Sequence, residues 1–160
     1  MREKLLKLIE KNSRVDLKAL AEKLGASEED VVNEMAAMES EGIICGYHTM
    51  INWDKVGGDS VTALIEVHVT PQKERGYDRL AKQIYEFPEV NSVYLISGSY
   101  DFLVIIEGKS LRETAHFVNE QLAVMDGVIS TATHFILKKY KDHGTVMDAG
   151  KRSARKPVSL

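Results

Sequence analysis

The sequence predicts an α+β fold in two parts, an N-terminal winged-type helix-turn-helix followed by a ferredoxin-like βαββαβ domain. Three observations lead there. Residues 1–50 carry apolar side chains at helical spacing in three short runs separated by capping signals. From Val61 to Val69 apolar residues alternate with the period of a strand. Beyond that strand, stretches follow in the order helix, strand, strand, helix, strand, which is the split βαβ arrangement. The expected boundaries are a helix-turn-helix domain over 1–50, a linker over 51–59, a ferredoxin-like domain over 60–144 and a basic flexible tail over 145–160.

In the first helix Leu5, Leu8 and Ile9 fall at i, i+3, i+4, and Asn12-Ser13 end it. Leu17, Leu20, Ala21 and Leu24 repeat the pattern, with Asp16 as N-cap and Gly25 as stop. Ser27 caps the third helix, Asp30 three residues later gives it a capping-box pattern, and Val31, Met35 and Met38 supply its buried stripe before Gly42. Only Gly25-Ala26 separates the second helix from the cap of the third, the short connection of a helix-turn-helix. Three short amphipathic helices also suit a bundle with no groove to fill.

Residues 47–53 read as an extended linker turning at Val56-Gly57-Gly58. Val61, Ala63, Ile65, Val67 and Val69 form one face of the first strand, which Pro71 ends. Tyr77, Leu80, Ala81 and Ile84 make a helix stopped at Pro88. Strands are expected over 90–96 and 101–107, joined by Gly98-Ser99-Tyr100. Leu111, Ala115, Val118 and Leu122 make the second helix of this part, and Val128 to Lys139 the last strand. Both helices should cover one sheet face. Leu64, Leu103, Ile105, Ile129, Phe135 and Leu137 are expected on the other, more apolar surface than a monomer leaves wet. A homodimer joined sheet to sheet follows.

The composition, 44% apolar and 28% charged over 160 residues, belongs to a folded globular chain. No apolar run approaches the roughly 18 residues of a membrane span, and the charged amphipathic start is not a signal peptide. A single cysteine, Cys45, excludes an internal disulfide framework and fits a reducing compartment, so cytoplasmic localisation is expected. Net charge is −3; residues 1–50 carry 7 basic and 10 acidic side chains, residues 51–160 carry 14 of each, and 138–160 carry 7 basic and 2 acidic. That balance argues against nucleic-acid binding by bulk charge. His48, His68, His116, His134 and His143 are scattered, with no pair at metal-ligand spacing. With no nucleophile–base pair and no phosphate-binding Gly motif, no metal, cofactor or enzymatic activity is expected.

With the elements placed, the chain resembles the Lrp/AsnC (feast/famine, leucine-responsive) family of transcription regulators over nearly all of residues 1–144. The resemblance rests on Leu20-Ala21, Leu24-Gly25 and Ser27, on Glu41-Gly42-Ile43-Ile44 with Gly46-Tyr47, and on Gly98 with Tyr100-Asp101. It continues in Gly127-Val128, Thr131 with Thr133, and Leu137 followed by Lys141 and Gly144. It implies a DNA-binding regulator that dimerises through its C-terminal sheet, assembles further, and responds to a small effector, an amino acid or related metabolite. It places effector contacts at Gly98, Ser99, Tyr100, Asp101, Thr131, Thr133 and His134. The chemistry is suitable: a Gly-containing loop exposes N–H groups to a carboxylate, Asp101 can pair with an ammonium, and Thr hydroxyls serve either end. Gly98 equally permits a hairpin turn, Asp101 a turn cap, and threonine is an ordinary strand residue.

On the same reading the third helix enters the major groove, and double-stranded DNA meets Arg14, Lys18, Ser27, Glu28, Glu29 and Asn33. Here the sequence departs from the family. The stretch SEEDVVNEMAAMESEG holds no Lys or Arg. Glu34 stands where the family typically has Arg, Ala36 and Ala37 stand at positions often basic, and Cys45 replaces another. Missing cations weaken phosphate docking, and Glu28, Glu29 and Asp30 suit a helix start but not a polyanion. Compensating charge is available from Arg2, Lys4, Lys7, Lys11, Arg14, Lys18 and Lys23. The tail Lys151-Arg152-Ser153-Ala154-Arg155-Lys156 is either an arm for phosphate or a solubilising end. The alternative is an oligomeric metabolite-sensing module whose helix-turn-helix serves assembly or protein partners.

Overall fold

The computed structural model describes residues 1–57, 60–70 and 76–147. Gly58 of the expected turn, Pro71 and the basic residues 151–156 lie outside the described residues. The chain divides into two compact units, Met1–Ile51 and Asn52–Leu160.

The first unit holds α1 (Arg2–Lys11), α2 (Leu17–Leu24) and α3 (Glu28–Ser40). Leu5, Ile9, Leu20, Ala21, Val31, Met38 and Ile44 form its core, with Leu8, Leu24 and Met35 packed around them. Each large aliphatic chain so buried contributes about 1.5–3 kcal/mol. Leu17 shares the spacing yet stays exposed at the first position of α2. No strand follows α3 within this unit, so the expected wing is not formed there.

The second unit contains β1 (Val61–Val69), α4 (Gly76–Tyr85), β2 (Val90–Leu95), β3 (Phe102–Gly108), α5 (Leu111–Phe117) and β4 (Val128–Phe135). The sheet order is β2-β3-β1-β4 with every pairing antiparallel, the ferredoxin-like arrangement. Ala63, Ile65, Val67 and Val69 of β1 and Phe102, Val104 and Ile106 of β3 pack with Leu80 and Ile84 of α4 and Phe117, Val118 and Leu122. Residues Val118–Leu122 prolong α5 as a wider π-type turn.

Several expected placements change. Leu111 and Ala115 are exposed; the buried stripe is Thr114, Phe117, Val118 and Leu122. Helical spacing admits either phase here, and the large Phe117 ring takes the buried one, edge-on to Phe87 at 5.3 Å. Phe135 lies opposite Ala63 and packs with the helix-side core rather than on the open face. The register shift between His68 and Val69 leaves Ile129 without a partner in the ladder, and Leu137 falls beyond the end of β4. Leu64, Leu103 and Ile105 do occupy the open face, joined by Tyr94 opposite Leu103.

Past β4, β5 (Lys141–Asp142) and β6 (Thr145–Val146) form a hairpin whose turn residues His143 and Gly144 have φ of 41° and 80°. Two successive positive φ values are those of a type I′ turn. Met147 N–H donates to Tyr140 O at 2.9 Å, and Asn52 Nδ2 donates to Met147 O at 2.8 Å. Regular structure thus continues past position 144.

Candidate nucleic-acid interface and effector site

The α2–turn–α3 corner is set by backbone chemistry. Gly25, at φ 64°, ends α2, and Ala26 N–H reaches back to Ala21 O at 3.1 Å. A left-handed residue at this point is least costly as glycine. Ser27 then caps α3 reciprocally: Asp30 N–H donates to Ser27 Oγ at 3.0 Å, while Ser27 N–H and Oγ–H donate to Asp30 Oδ2 at 3.2 and 2.6 Å. These bonds, the hydroxyl's first, hold the Asp30 carboxyl below its usual range. The Ser27 hydroxyl is therefore committed within the chain.

Arg14 and Lys18 are exposed; their backbone N–H groups donate to Asn12 Oδ1 at 3.1 Å and Asp16 Oδ1 at 2.8 Å, and their charged ends have no partner among the described residues. Along α3 the solvent side is Glu29, Val32, Asn33, Ala36 and Ser40, at i, i+3, i+4, i+7 and i+11, all exposed, with Glu28 exposed beside them. Glu34 is not among them. It sits on the flank of the buried stripe, 21% exposed, and pairs with Arg2 Nε. Arg2 Nη1 and Nη2 also donate to the two oxygens of Glu41 at 2.6 and 2.8 Å. These bonds raise the guanidinium's pKa, with Glu41 the larger contributor, and lower the pKa of Glu41. The acid that replaces the family's arginine is thus neutralised by α1. Sequence reading counted Arg2 among the free cations, although Arg2, Leu5 and Ile9 at i, i+3, i+7 already placed it along the buried side.

At the other candidate site, the loop between β2 and β3 reaches the end of β1. Asp101 N–H donates to Val67 O at 3.1 Å, and Ile96 N–H to Asp101 O at 2.8 Å. The Asp101 carboxylate accepts from Val69 N–H at 2.9 Å and from the Tyr77 hydroxyl at 3.3 Å. Desolvation, then the Asp101 charge, raise the Tyr77 pKa. Tyr100 meets the His68 ring edge-on with centroids 6.5 Å apart. Gly98 and Ser99 complete the loop, and a Cβ at Gly98 would make only an ordinary contact, with Ile96.

Thr131 lies across β1 from this end, opposite Val67; Thr133 is opposite Ile65 and His134 opposite Leu64. Directly paired residues share a face. Thr131 and Thr133 therefore point to the helix side, half-buried, while His134 points to the open side, where its Nε2 is 3.3 Å from Glu66 Oε1. The structure brings Gly98–Asp101 and Thr131 to one end of the sheet and does not bring His134 onto the same face as the threonines. Tyr77 is the neighbour that sequence spacing had assigned only to the core. Among the described residues no group of three His, Cys, Asp or Glu could hold a metal, and no helix is long and apolar enough to cross a membrane.

Residues 62–146 match the family model of the Lrp/AsnC ligand-binding domain. The chain is also 45% identical to the HTH-type transcriptional regulator YugG of Bacillus subtilis, itself uncharacterised, over 97% of this chain and 94% of that protein. The chain belongs to the Lrp/AsnC family. Its identity to the HTH-type transcriptional regulator LrpA of Pyrococcus horikoshii is 32%, covering 86% of this chain and 94% of the relative. In fold it is similar to a Neisseria meningitidis transcriptional regulator solved with L-methionine, at a TM-score of 0.69 and 23% identity, covering 89% and 92% of the two chains. The relatives are named as transcription regulators, not enzymes, and the chain is a transcription regulator of the Lrp/AsnC type.

Proposed function

We propose that this Lrp/AsnC chain acts in the cytoplasm by docking α3 in the major groove of double-stranded DNA, with Arg14 and Lys18 toward phosphate. The observation that carries the reading is the α2–Gly25–α3 corner, which leaves one whole side of α3 exposed. Glu34, the residue most opposed to it, is engaged by Arg2. A small effector, an amino acid or related metabolite, is held by the Gly98–Asp101 loop and Thr131, with Thr133 farther along the same face and His134 on the other, and the chain works as a homodimer or larger assembly. Support for an amino acid comes from the neighbouring regulator bound to L-methionine. A second reading, a sensor that no longer binds DNA, is favoured by the absence of Lys and Arg between Lys23 and Lys55.

A titration separates the two. A fluorescent fragment of the chain's own upstream DNA and a scrambled control are mixed with the protein at about 50 and 200 mM salt, a range over which multi-phosphate contacts lose orders of magnitude in affinity. Preference for the upstream fragment with a steep salt slope supports the regulator; a folded, oligomeric protein that binds neither fragment supports the sensor. Thermal melting with each proteinogenic amino acid tests the effector, since a ligand at a hundred times its Kd stabilises the fold by about 2.7 kcal/mol.

A further inference from the structure

The exposed side of α3 carries polar and small apolar groups and no cation. Glu29, Val32, Asn33, Ala36 and Ser40 present one carboxylate, two small apolar chains, one amide and one hydroxyl, the last already donating to Ala37 O at 2.8 Å. Of the neighbouring acids, Asp30 is held by Ser27, Glu34 by Arg2 and Glu39 by the Tyr47 hydroxyl at 2.7 Å, while the Glu28 side chain is exposed with no partner among the described residues. The Asn33 side chain makes no hydrogen bond to another described residue. Val32 is 44% exposed and takes no part in the core of the first unit. No Lys or Arg lies between Lys23 and Lys55, and Arg2 is held by two carboxylates.

In the major groove guanine is read chiefly by a bidentate Arg or Lys, adenine N6 and N7 by a bidentate Asn or Gln, the thymine methyl by apolar contact, and the cytosine amine by a carboxylate. The α3 stripe supplies the last three and lacks the first. We propose that Asn33 is the specificity-determining residue of the DNA site, accepting from adenine N6 and donating to N7, with Val32 and Ala36 against the methyl groups of adjoining thymines. The assignment rests on α3 being the groove-entering helix. Asn33 stands in the second turn after the Ser27 cap, within the N-terminal part of a reading helix that meets base edges. Val32 adjoins it and Ala36 follows one turn later on the same stripe. An apolar chain left in water at Val32 gains a partner from a thymine methyl, and the small Ala36 lets the helix approach closely. Glu29, at the helix start, fits a cytosine amine.

The test is selection of bound duplexes from a random double-stranded pool by the full-length chain and by Asn33→Ala and Asn33→Arg. Both substitutions sit on an exposed helical position and keep good helix formers, so folding is retained and is checked by circular dichroism. The wild type is expected to enrich adenine at one position, or at two related by symmetry, beside thymine. Asn33→Ala loses about 5- to 150-fold of discrimination there, and only there, with the salt slope unchanged. Asn33→Arg moves the preference at that position to guanine. An enriched motif that Asn33→Ala returns unaltered overturns the assignment and leaves DNA reading by the chain intact. A pool from which the wild type enriches nothing, with no duplex bound at about 50 mM salt, overturns both.

Discussion

Arg2 is held between two carboxylates, and the ionic character of that contact gives it a definite pH dependence. The Glu41 pKa is lowered in the fold, chiefly by the hydrogen bonds from Arg2, relative to an ordinary value of 4.5. A lowered carboxylate contributes stability that is fully present above its unfolded value and is lost as pH falls through the folded one. Arg2, its own pKa raised, stays charged throughout. The melting temperature of Arg2→Met should therefore fall below wild type at pH 7, and the gap should close as pH falls below 4.5 and through the lowered Glu41 value. A gap that persists there would assign the effect to packing of the arginine stem. The Asp101 carboxylate supplies the acceptor for Val69 N–H, which Asp101→Ala would leave unpaired at a part-buried strand end. The expected loss is about 1–3 kcal/mol by denaturant unfolding, and Asp101→Asn, which keeps an acceptor oxygen, should lose less. If Asp101→Ala unfolds like wild type while amino-acid binding disappears, the carboxylate serves the effector alone.

β3 and α5 come especially close at Gly108 and Thr114. A Cβ on Gly108 would come within 2.5 Å of Thr114 Oγ1, itself buried and without a hydrogen-bond partner among the described residues. Gly108→Ala should therefore cost about 1–3 kcal/mol, the usual penalty of overpacking. Thr114→Ala in the same chain removes the clashing oxygen, so the double mutant should be more stable than the sum of the single changes predicts. Simple additivity in urea melts would place the clash elsewhere. Neither residue stood out in the sequence, because a glycine at a strand end and a threonine in a helix each have a local reading. Caps and periods were legible for the opposite reason: Asp16, Gly25, Ser27 with Asp30, and the alternation of β1 report chemistry within a few residues. The phase of α5 and the face of Phe135 depend on partners far along the chain, through the packing of Phe117 and the register of β1 with β4. In the same way the sequence shows Glu34 in place of a cation but not Arg2, 32 positions away, lying against it. The effector loop was legible as a turn, while the separation of His134 from Thr131 and Thr133 required the strand register.

For the molecule as a whole, the sheet order puts both helices on one face and leaves Leu64, Leu103, Ile105 and Tyr94 on the other. Ile105 is the central member: it lies on β3, opposite Leu64 on β1 and Ser92 on β2. Glu66 and His134, 3.3 Å apart, sit toward the β4 edge of the same face. An apolar centre with a polar margin is the anatomy of an interface, and the homodimer proposed for this chain covers it sheet to sheet. Ile105→Glu would place a carboxylate in that centre with no cation beside it, and an unpaired buried charge costs about 3–5 kcal/mol. Since 1.4 kcal/mol is tenfold, the dimer constant should weaken by at least about a hundredfold. Within one chain the new side chain would face water, so the helix and strand signals of circular dichroism should be retained. Leu111→Glu is the matched control, because Leu111 is exposed on the helix side of the unit. Sedimentation equilibrium of the two variants reads the difference directly: Ile105→Glu should shift to monomer at concentrations where Leu111→Glu and wild type remain associated. The same variant should lose DNA affinity far beyond any local effect, because separating two linked helix-turn-helix units removes their effective concentration for the second half of the site. An Ile105→Glu chain that sediments as wild type would move the interface off the sheet face, and the exposed Leu137 beyond β4 would be the next place to look.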